Sequence, residues 1–214
     1  AEFMGLGPDA TEAEVAAAYA KTDLLLGQEM KEQGRADKQA RGAAAAATAA
    51  AAALGRLELR VGRIVSAAPH PDADALFVEE VDLGEAEPRT IVSGLRKYQT
   101  VESLTGRMVV VLCNLKPRAM RGIMSPGMLM CASDENKTKV EPITPPEGSR
   151  IGELITFEGY QVNPLKPGLR ANRAYEEVAG GFAARPEDGV AVWEGVPLAT
   201  RAGPVTSQLI GRIS

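Results

Sequence analysis

Three cations, Lys116, Arg118 and Arg121, fall within six positions of one short run, Asn114-Leu115-Lys116-Pro117-Arg118-Ala119-Met120-Arg121-Gly122, with Ser125 and Met128 close behind. Guanidinium and ammonium groups at this spacing can grip phosphates, best when the loop that carries them is rigid before the ligand arrives. The alternative is a solvated surface loop. Other reactive residue types are sparse. His70, the only histidine, lies in His70-Pro71-Asp72-Ala73-Asp74, which reads as a turn and lacks the further ligands a metal site needs. Cys113 and Cys131 each sit in an apolar run and read as buried free thiols, since zinc would need more ligands. Ser93 and Ser125 invite a nucleophile reading, but a single histidine in a proline-rich turn is a poor base for either. Gly84, Gly94 and Gly122 are isolated and form no phosphate-cradling loop. The residues hold no catalytic constellation and imply neither a metal nor a cofactor.

Composition narrows the classes further. The net charge of −4 over 214 residues argues against a surface that coats nucleic acid indiscriminately. Residues 1–55 carry five cations and eight acids, 56–159 thirteen and fifteen, and 160–214 six and five. Any polyanion site must therefore be a local patch. Between Arg107 and Arg121 there are four cations and no acids. No apolar stretch reaches membrane-spanning length, and the alanine-rich segment Ala43 to Ala53 is too short and too weakly hydrophobic. The absence of a signal-peptide pattern, with two cysteines lacking pairing logic, suggests a reducing, cytoplasmic setting. Ala1-Glu2-Phe3 ahead of Met4 resembles a cloning scar, which would make Met4 the native start.

The elements that must position the basic run follow from periodicity. Residues 9–41 read as a helix: Thr11 with Glu14 fits a capping box, and Val15, Tyr19, Leu26 and Met30 form one apolar stripe. Such a stripe must pack on the chain's own globular part, on a second copy or on another protein. Ala43 to Ala53 reads as a helical spacer or a loose tether, and the folded body should begin near Gly55. From Leu57 the period becomes two, and the apolar phase slips at Gly62, which predicts a bulge or sharp bend. Further strands are expected over Phe77 to Leu83, Arg89 to Ser93, Met108 to Cys113 and Met128 to Ser133. A short helix, Val101 to Leu104, should lie between the third and fourth. Five short strands with one helix in that place predict a mainly β protein built on an OB-type five-stranded barrel. The basic run, punctuated by Pro117 and Gly122, should cross the end of that sheet as a turn. After Gly159 a unit of about 55 residues follows, whose core would be marginal alone, so it is expected to lean on the barrel. Tyr175 to Val178 reads as helical there. Val190 to Trp193, Pro197 to Thr200 and Val205 to Ser207 read as strands, with Trp193 in the core. The predicted organisation is a helix and linker over 1–55, the barrel over 56–159 and an α+β extension over 160–214.

The segment Leu57 to Gly159 closely resembles the tRNA-binding domain found at the C-terminus of some tyrosyl- and methionyl-tRNA synthetases. It also resembles the endothelial-monocyte-activating polypeptide of the multisynthetase scaffold and the free-standing tRNA-binding cofactors. The matching runs are LELRVGRIV, HPDADALFVEEVDLGEAEPRTIVSGL, VVVLCNLKPRAMRG, SPGMLMCAS and PPEGS, with WEGVPL and GRIS in the last unit. The resemblance implies an OB barrel that binds tRNA by shape more than by sequence. It places Asn114, Lys116, Arg118, Arg121, Ser125 and Met128 in the family's signature loop and following strand, and Arg60 and Arg63 in its basic first strand. It implies that the last unit imitates the second half of a dimer, so the barrel part need not self-associate. The resemblance does not cover the first 55 residues, and self-association through the first helix stays open. One departure is Leu165-Lys166-Pro167-Gly168-Leu169-Arg170, much less basic than the lysine run relatives often carry after the same Asn-Pro.

Three functions fit that resemblance. One is a non-catalytic cofactor that brings tRNA to an aminoacyl-tRNA synthetase docked on the first helix. Another is a structural scaffold of a multisynthetase complex, with cytokine-like potential in the segment Arg60 to Ser66. The third is the excised appendage of a tyrosyl-tRNA synthetase. If Arg60, Arg63, Lys116, Arg118 and Arg121 all engage phosphates, log affinity should fall roughly 3.5–4.5 units per decade of salt.

Overall fold

Helix α1, Glu12–Leu54, starts where its cap places it. Thr11 Oγ1 accepts the Glu14 N–H at 3.4 Å, and the Glu14 carboxylate accepts the Thr11 N–H at 2.8 Å. This is the expected capping box. The computed structural model describes residues 11–214, excepting the side chains at 15, 18, 19, 22, 23, 26 and 27. Residues 1–10 and the stripe positions Val15, Tyr19 and Leu26 therefore lie outside what is described. Met30 is exposed, as are Leu24 and Leu25. Ala43 to Ala53 continue the helix instead of forming a loose tether, in keeping with alanine's propensity. The chain divides into two compact units after Ala49. The second, Ala50–Ser214, begins inside the last turns of α1, because Ala53 and Leu54 are fully buried in its core.

In that second unit β2 (Phe77–Asp82) alternates buried and half-buried residues and β1 (Leu59–Pro69) does so over its first half, whereas β3 (Arg89–Ser93) and β4 (Met108–Leu112) end in continuous buried runs. Helix α2 (Val101–Leu104), capped by Thr100 and Ser103, lies between β3 and β4 as expected. A separate hairpin, β5 (Arg118–Met120) with β6 (Ile123–Ser125), precedes β7 (Met128–Leu129). The sheet runs β3-β2-β1-β4-β7. Its two edges approach each other: the Val92 N–H donates to Ser125 Oγ at 3.0 Å, and a Cβ on Gly127 would come within 2.8 Å of Ile91. The result is the predicted mainly β architecture, a nearly closed five-stranded barrel. The bulge does not lie at Gly62. Pairing with β2 slips between Ile64 and Ser66, leaving Val65 as the extra, exposed residue. Gly62 is needed for another reason: a Cβ there would meet Val81 and Leu83 at 2.8 and 2.9 Å.

The continuous apolar run of β4 has two cores to fill. Val109 and Val111 enter the barrel interior with Ile64, Phe77 and Ile91, while Val110 and Leu112 pack with Leu59, Phe182, Trp193 and Leu198. The second core is covered by a curled sheet. Its strands are β8 (Cys131–Ser133), β9 (Val140–Pro142), β10 (Thr156–Phe157), β11 (Phe182–Ala184), β12 (Ala191–Trp193), β13 (Val196–Thr200), β14 (Gly203–Pro204) and β15 (Gly211–Ile213). They run β10-β13-β12-β11-β15-β8-β9, with β14 on β13, and α3 (Leu169–Val178) packs beside them. The expected strand Met128 to Ser133 breaks at Met130, so β7 stays with the barrel and β8 joins the curled sheet. Expected strand Val205 to Ser207 is reduced to single bridges at Thr206. Trp193 is buried, its indole N–H donating to the Val178 carbonyl at 3.0 Å.

One group inside the barrel opposes its own burial. Glu79, on the face of β2 that carries Phe77 and Val81, is fully buried; its Oε1 accepts the Ser93 hydroxyl, and Oε2 has no partner. Burial pushes its carboxyl up to about 7. The unfolded chain titrates near 4.5, so this contribution to stability is complete below that pH and is lost as pH rises through about 7. The loss amounts to about 3 kcal/mol. Glu79→Gln should flatten the difference: denaturant midpoints at pH 5 and pH 8 should diverge in the parent protein and converge in the variant. Equal pH dependence in both would contradict the assignment.

Candidate nucleic-acid interface

The basic run folds as a hairpin, with Arg118 opposite Ser125, Ala119 opposite Met124 and Met120 opposite Ile123. Its two-residue turn is Arg121-Gly122, with φ of +49° and +92°. Positive φ at both positions matches the twist of the flanking strands, yet a non-glycine residue there costs about 1–2 kcal/mol. The arginine is thereby held at the tip. Lys116, Arg118 and Arg121 are all exposed, and none forms an ion pair among the described residues.

Beneath these charges the segment is fastened by buried polar groups. Asn114 is fully buried. Its Oδ1 accepts the Glu58 N–H at 3.1 Å, and its amide donates to the carbonyls of Arg56 at 2.9 Å and Leu165 at 3.0 Å. It therefore holds the turn, and no polar atom of its side chain is left to meet RNA. Ser125 is buried likewise, accepting from Val92 and donating to the Gly127 carbonyl at 3.0 Å. Met128 is half-buried and lines a cavity of about 460 Å³ together with Lys116, Arg118, Met120 and Ser125. The Lys116 backbone N–H donates to Asn172 Oδ1 of α3 at 2.8 Å, tying the loop to the extension.

Two anchors were not apparent from sequence. Arg89 donates to the carbonyls of Cys113 at 2.8 Å and Pro126 at 3.2 Å, one on each side of the segment, while Glu85 holds its guanidinium from behind at 2.6 Å. This hydrogen bond raises the arginine's pKa and lowers the glutamate's. His70 is buried; Nδ1 accepts the Asp72 N–H at 3.0 Å, so Nε2 carries the proton and donates to the Met120 carbonyl at 3.1 Å. The expected turn motif thus supports the hairpin directly. The lone-histidine and arginine signals exist in the sequence, but their partners lie 50 and 24 residues away.

The first-strand cations are placed differently. Arg60 pairs with Glu58 at 2.5 Å, and its Nε is buried without a partner. Arg63 is half exposed, with Asp82 at 4.0 Å. Neither lines the cavity shared by Lys116 and Arg118. Cys113 and Cys131 are free and buried, their thiols pushed up to about 12 by burial.

Comparison with known proteins bears on the family and the fold. A family model described as a putative tRNA binding domain matches residues 59–154. The crystal structure of the C-terminal domain of Plasmodium vivax p43 superposes with a TM-score of 0.70 at 32% identity, covering 75% of this chain and 98% of that one. This chain belongs to the tRNA-binding domain family. Among sequence relatives, the cytoplasmic tyrosine–tRNA ligase of Xenopus laevis is 48% identical over 72% of this chain and 29% of its own length. The aminoacyl tRNA synthase complex-interacting multifunctional protein 1 of Mus musculus is 41% identical over 83% of this chain and 58% of its own. The chain thus spans less than two thirds of either relative. No helix among the described residues is long and apolar enough to cross a membrane.

Two outcomes follow for this tRNA-binding domain. Asn114→Ala strands three backbone groups and should cost about 1–3 kcal/mol, seen as a lower denaturant midpoint. Arg121→Gly removes the strain at the turn and should leave stability unchanged or raise it by about 1 kcal/mol. A loss of stability in the glycine variant would show that the arginine side chain contributes to the fold.

Proposed function

We propose that this chain is a non-catalytic tRNA-binding cofactor that delivers or retains tRNA for an aminoacyl-tRNA synthetase in the cytoplasm. The observation that carries the reading is the pinned hairpin: three exposed cations, without an ion pair among the described residues, on a barrel of the tRNA-binding family. Charges fixed in place engage a folded ribose-phosphate backbone without an ordering cost, and 2′-hydroxyls distinguish RNA from DNA. Arg60 is held by Glu58 at 2.5 Å and Arg63 lies 4.0 Å from Asp82. The three hairpin cations by themselves contribute about 2–3 log units per decade to the salt dependence.

Binding of this kind is weak alone and gains from tethering, since a docked synthetase raises the local concentration of tRNA. Helix α1, with Leu24, Leu25 and Met30 exposed, is the docking element in this proposal, or the means of self-association. Residues 1–55 act as the tether, 56–159 as the binding barrel and 160–214 as the half of a pseudo-dimer that leaves the barrel monomeric. A second reading is favoured by the ligases among the relatives, of which this chain matches less than a third: the same module serving as an appendage of a tyrosyl-tRNA synthetase. The scaffold reading draws on the mouse complex-interacting protein. Recovery of synthetases with this chain after nuclease treatment would favour direct docking.

Arg118→Ala with Arg121→Ala should lower tRNA affinity and make the salt dependence shallower by about 1.4–1.8 log units per decade. Circular dichroism should be unchanged, because neither side chain holds the fold. Parental affinity at low salt would remove the hairpin from the binding site.

A further inference from the structure

The cavity beside the hairpin does not end there. Its walls include Tyr98 and Val140, which also line a second cavity of about 500 Å³ bordered by Lys97 and Lys139. The two cavities are therefore neighbours, and both sit on the seam between barrel and extension, since Asn172 lines one and Leu209 the other. Each has the size of a small-ligand site, about 300–1,000 Å³. At one end stand Lys116 and Arg118, at the other Lys97 and Lys139, all exposed and none ion-paired among the described residues. Between the two pairs the lining includes Met120, Met128 and half-buried Tyr98, with the polar Ser93, Ser125, Asn172 and Ser214 in the same cavity.

Tyr98 is not on a loose loop. The N–H groups of Tyr98 and Gln99 both donate to the Leu95 carbonyl, at 2.8 and 2.9 Å, and the Gln99 side chain donates to the Val140 carbonyl at 2.9 Å. The ring is thus carried by a closed turn just before α2. Among the described residues Glu141 is the only carboxylate side chain lining either cavity, and its Oε1 is occupied by the Ser207 hydroxyl and the N–H groups of Gln208 and Leu209, at 2.8, 2.8 and 2.9 Å.

We propose that this seam is a second contact for the RNA, a groove that receives an unpaired nucleotide segment. A base stacks on Tyr98 between Met120 and Met128, and the flanking phosphates lie on Lys116 and Arg118 at one end and on Lys97 and Lys139 at the other. Two cation pairs separated by an apolar, aromatic stretch match the alternation of phosphate and base in a single strand. A duplex, whose bases are stacked inward, offers no such partner. The inference rests on the tRNA-binding reading and adds to it a preference for exposed bases, located away from the hairpin tip.

Equilibrium competition separates the two ideas. The full chain, with Tyr98→Phe, Tyr98→Leu and Tyr98→Ala, is titrated against intact tRNA, a short unpaired ribo-oligonucleotide and a blunt RNA duplex. The phenylalanine variant should match the parent. The leucine variant, which keeps apolar volume if the alanine variant does not fold, should lose about 5- to 100-fold in affinity for the oligonucleotide, with no change for the duplex. Parental oligonucleotide binding by Tyr98→Leu overturns the groove. If Arg118→Ala with Arg121→Ala still weakens tRNA binding in that case, the hairpin reading survives alone. Loss of synthetase recovery by Tyr98→Leu with RNA affinity intact would overturn it too, assigning the seam to a protein partner.

Discussion

An exposed cation grips a polyanion at least entropic cost when its backbone is already fixed, and a loop that is mostly solvated has little to fix it. This chain meets that constraint from below. Asn114, Ser125, His70 and Arg89 direct their polar atoms at main-chain groups within or beside the 114–126 segment, while Lys116, Arg118 and Arg121 face solvent. The polar anchors are buried or half-buried and nearly all satisfied, so each holds the backbone without competing for the ligand. Removing any one of them would leave the charges in place but free the loop, and the entropy of ordering it would then oppose binding.

The barrel and extension serve the same end. Because β4 is buried on both faces, the basic run departs from a strand packed into both cores. Extension residues then hold the run from the far side: Leu165 accepts from Asn114, Gly168 donates to the Asn114 carbonyl at 3.2 Å, and Asn172 accepts from Lys116. The α+β extension is therefore a wall of the proposed groove as well as a cover for the second core.

Much of this was legible in the sequence where local pattern decides. Strand β3 and helix α2 have the limits that alternation and turn signals predicted, and the Thr11–Glu14 cap stands where its spacing placed it. Readings failed where a distant contact decides. Gly62 looked like a bulge because its reason, the approach of Val81 and Leu83, lies on another strand. Met128 to Ser133 looked like one strand because both halves are apolar, yet each pairs in a different sheet. In the site, charge density pointed to Lys116, Arg118 and Arg121, but residue type alone could not separate them from Arg60, which Glu58 claims two residues away. Asn114 and Ser125 stood in the right segment for a supporting reason. His70 and Arg89 could not be assigned, since nothing local links them to Met120 or Cys113.

Amide hydrogen exchange on the whole chain, with and without tRNA at low salt, reads out whether the pinned hairpin meets its ligand. Added tRNA should slow exchange across residues 115–124 and leave the second core around β12 as it was. Slowing confined to surfaces remote from the hairpin, with that segment unaffected, would contradict that contact.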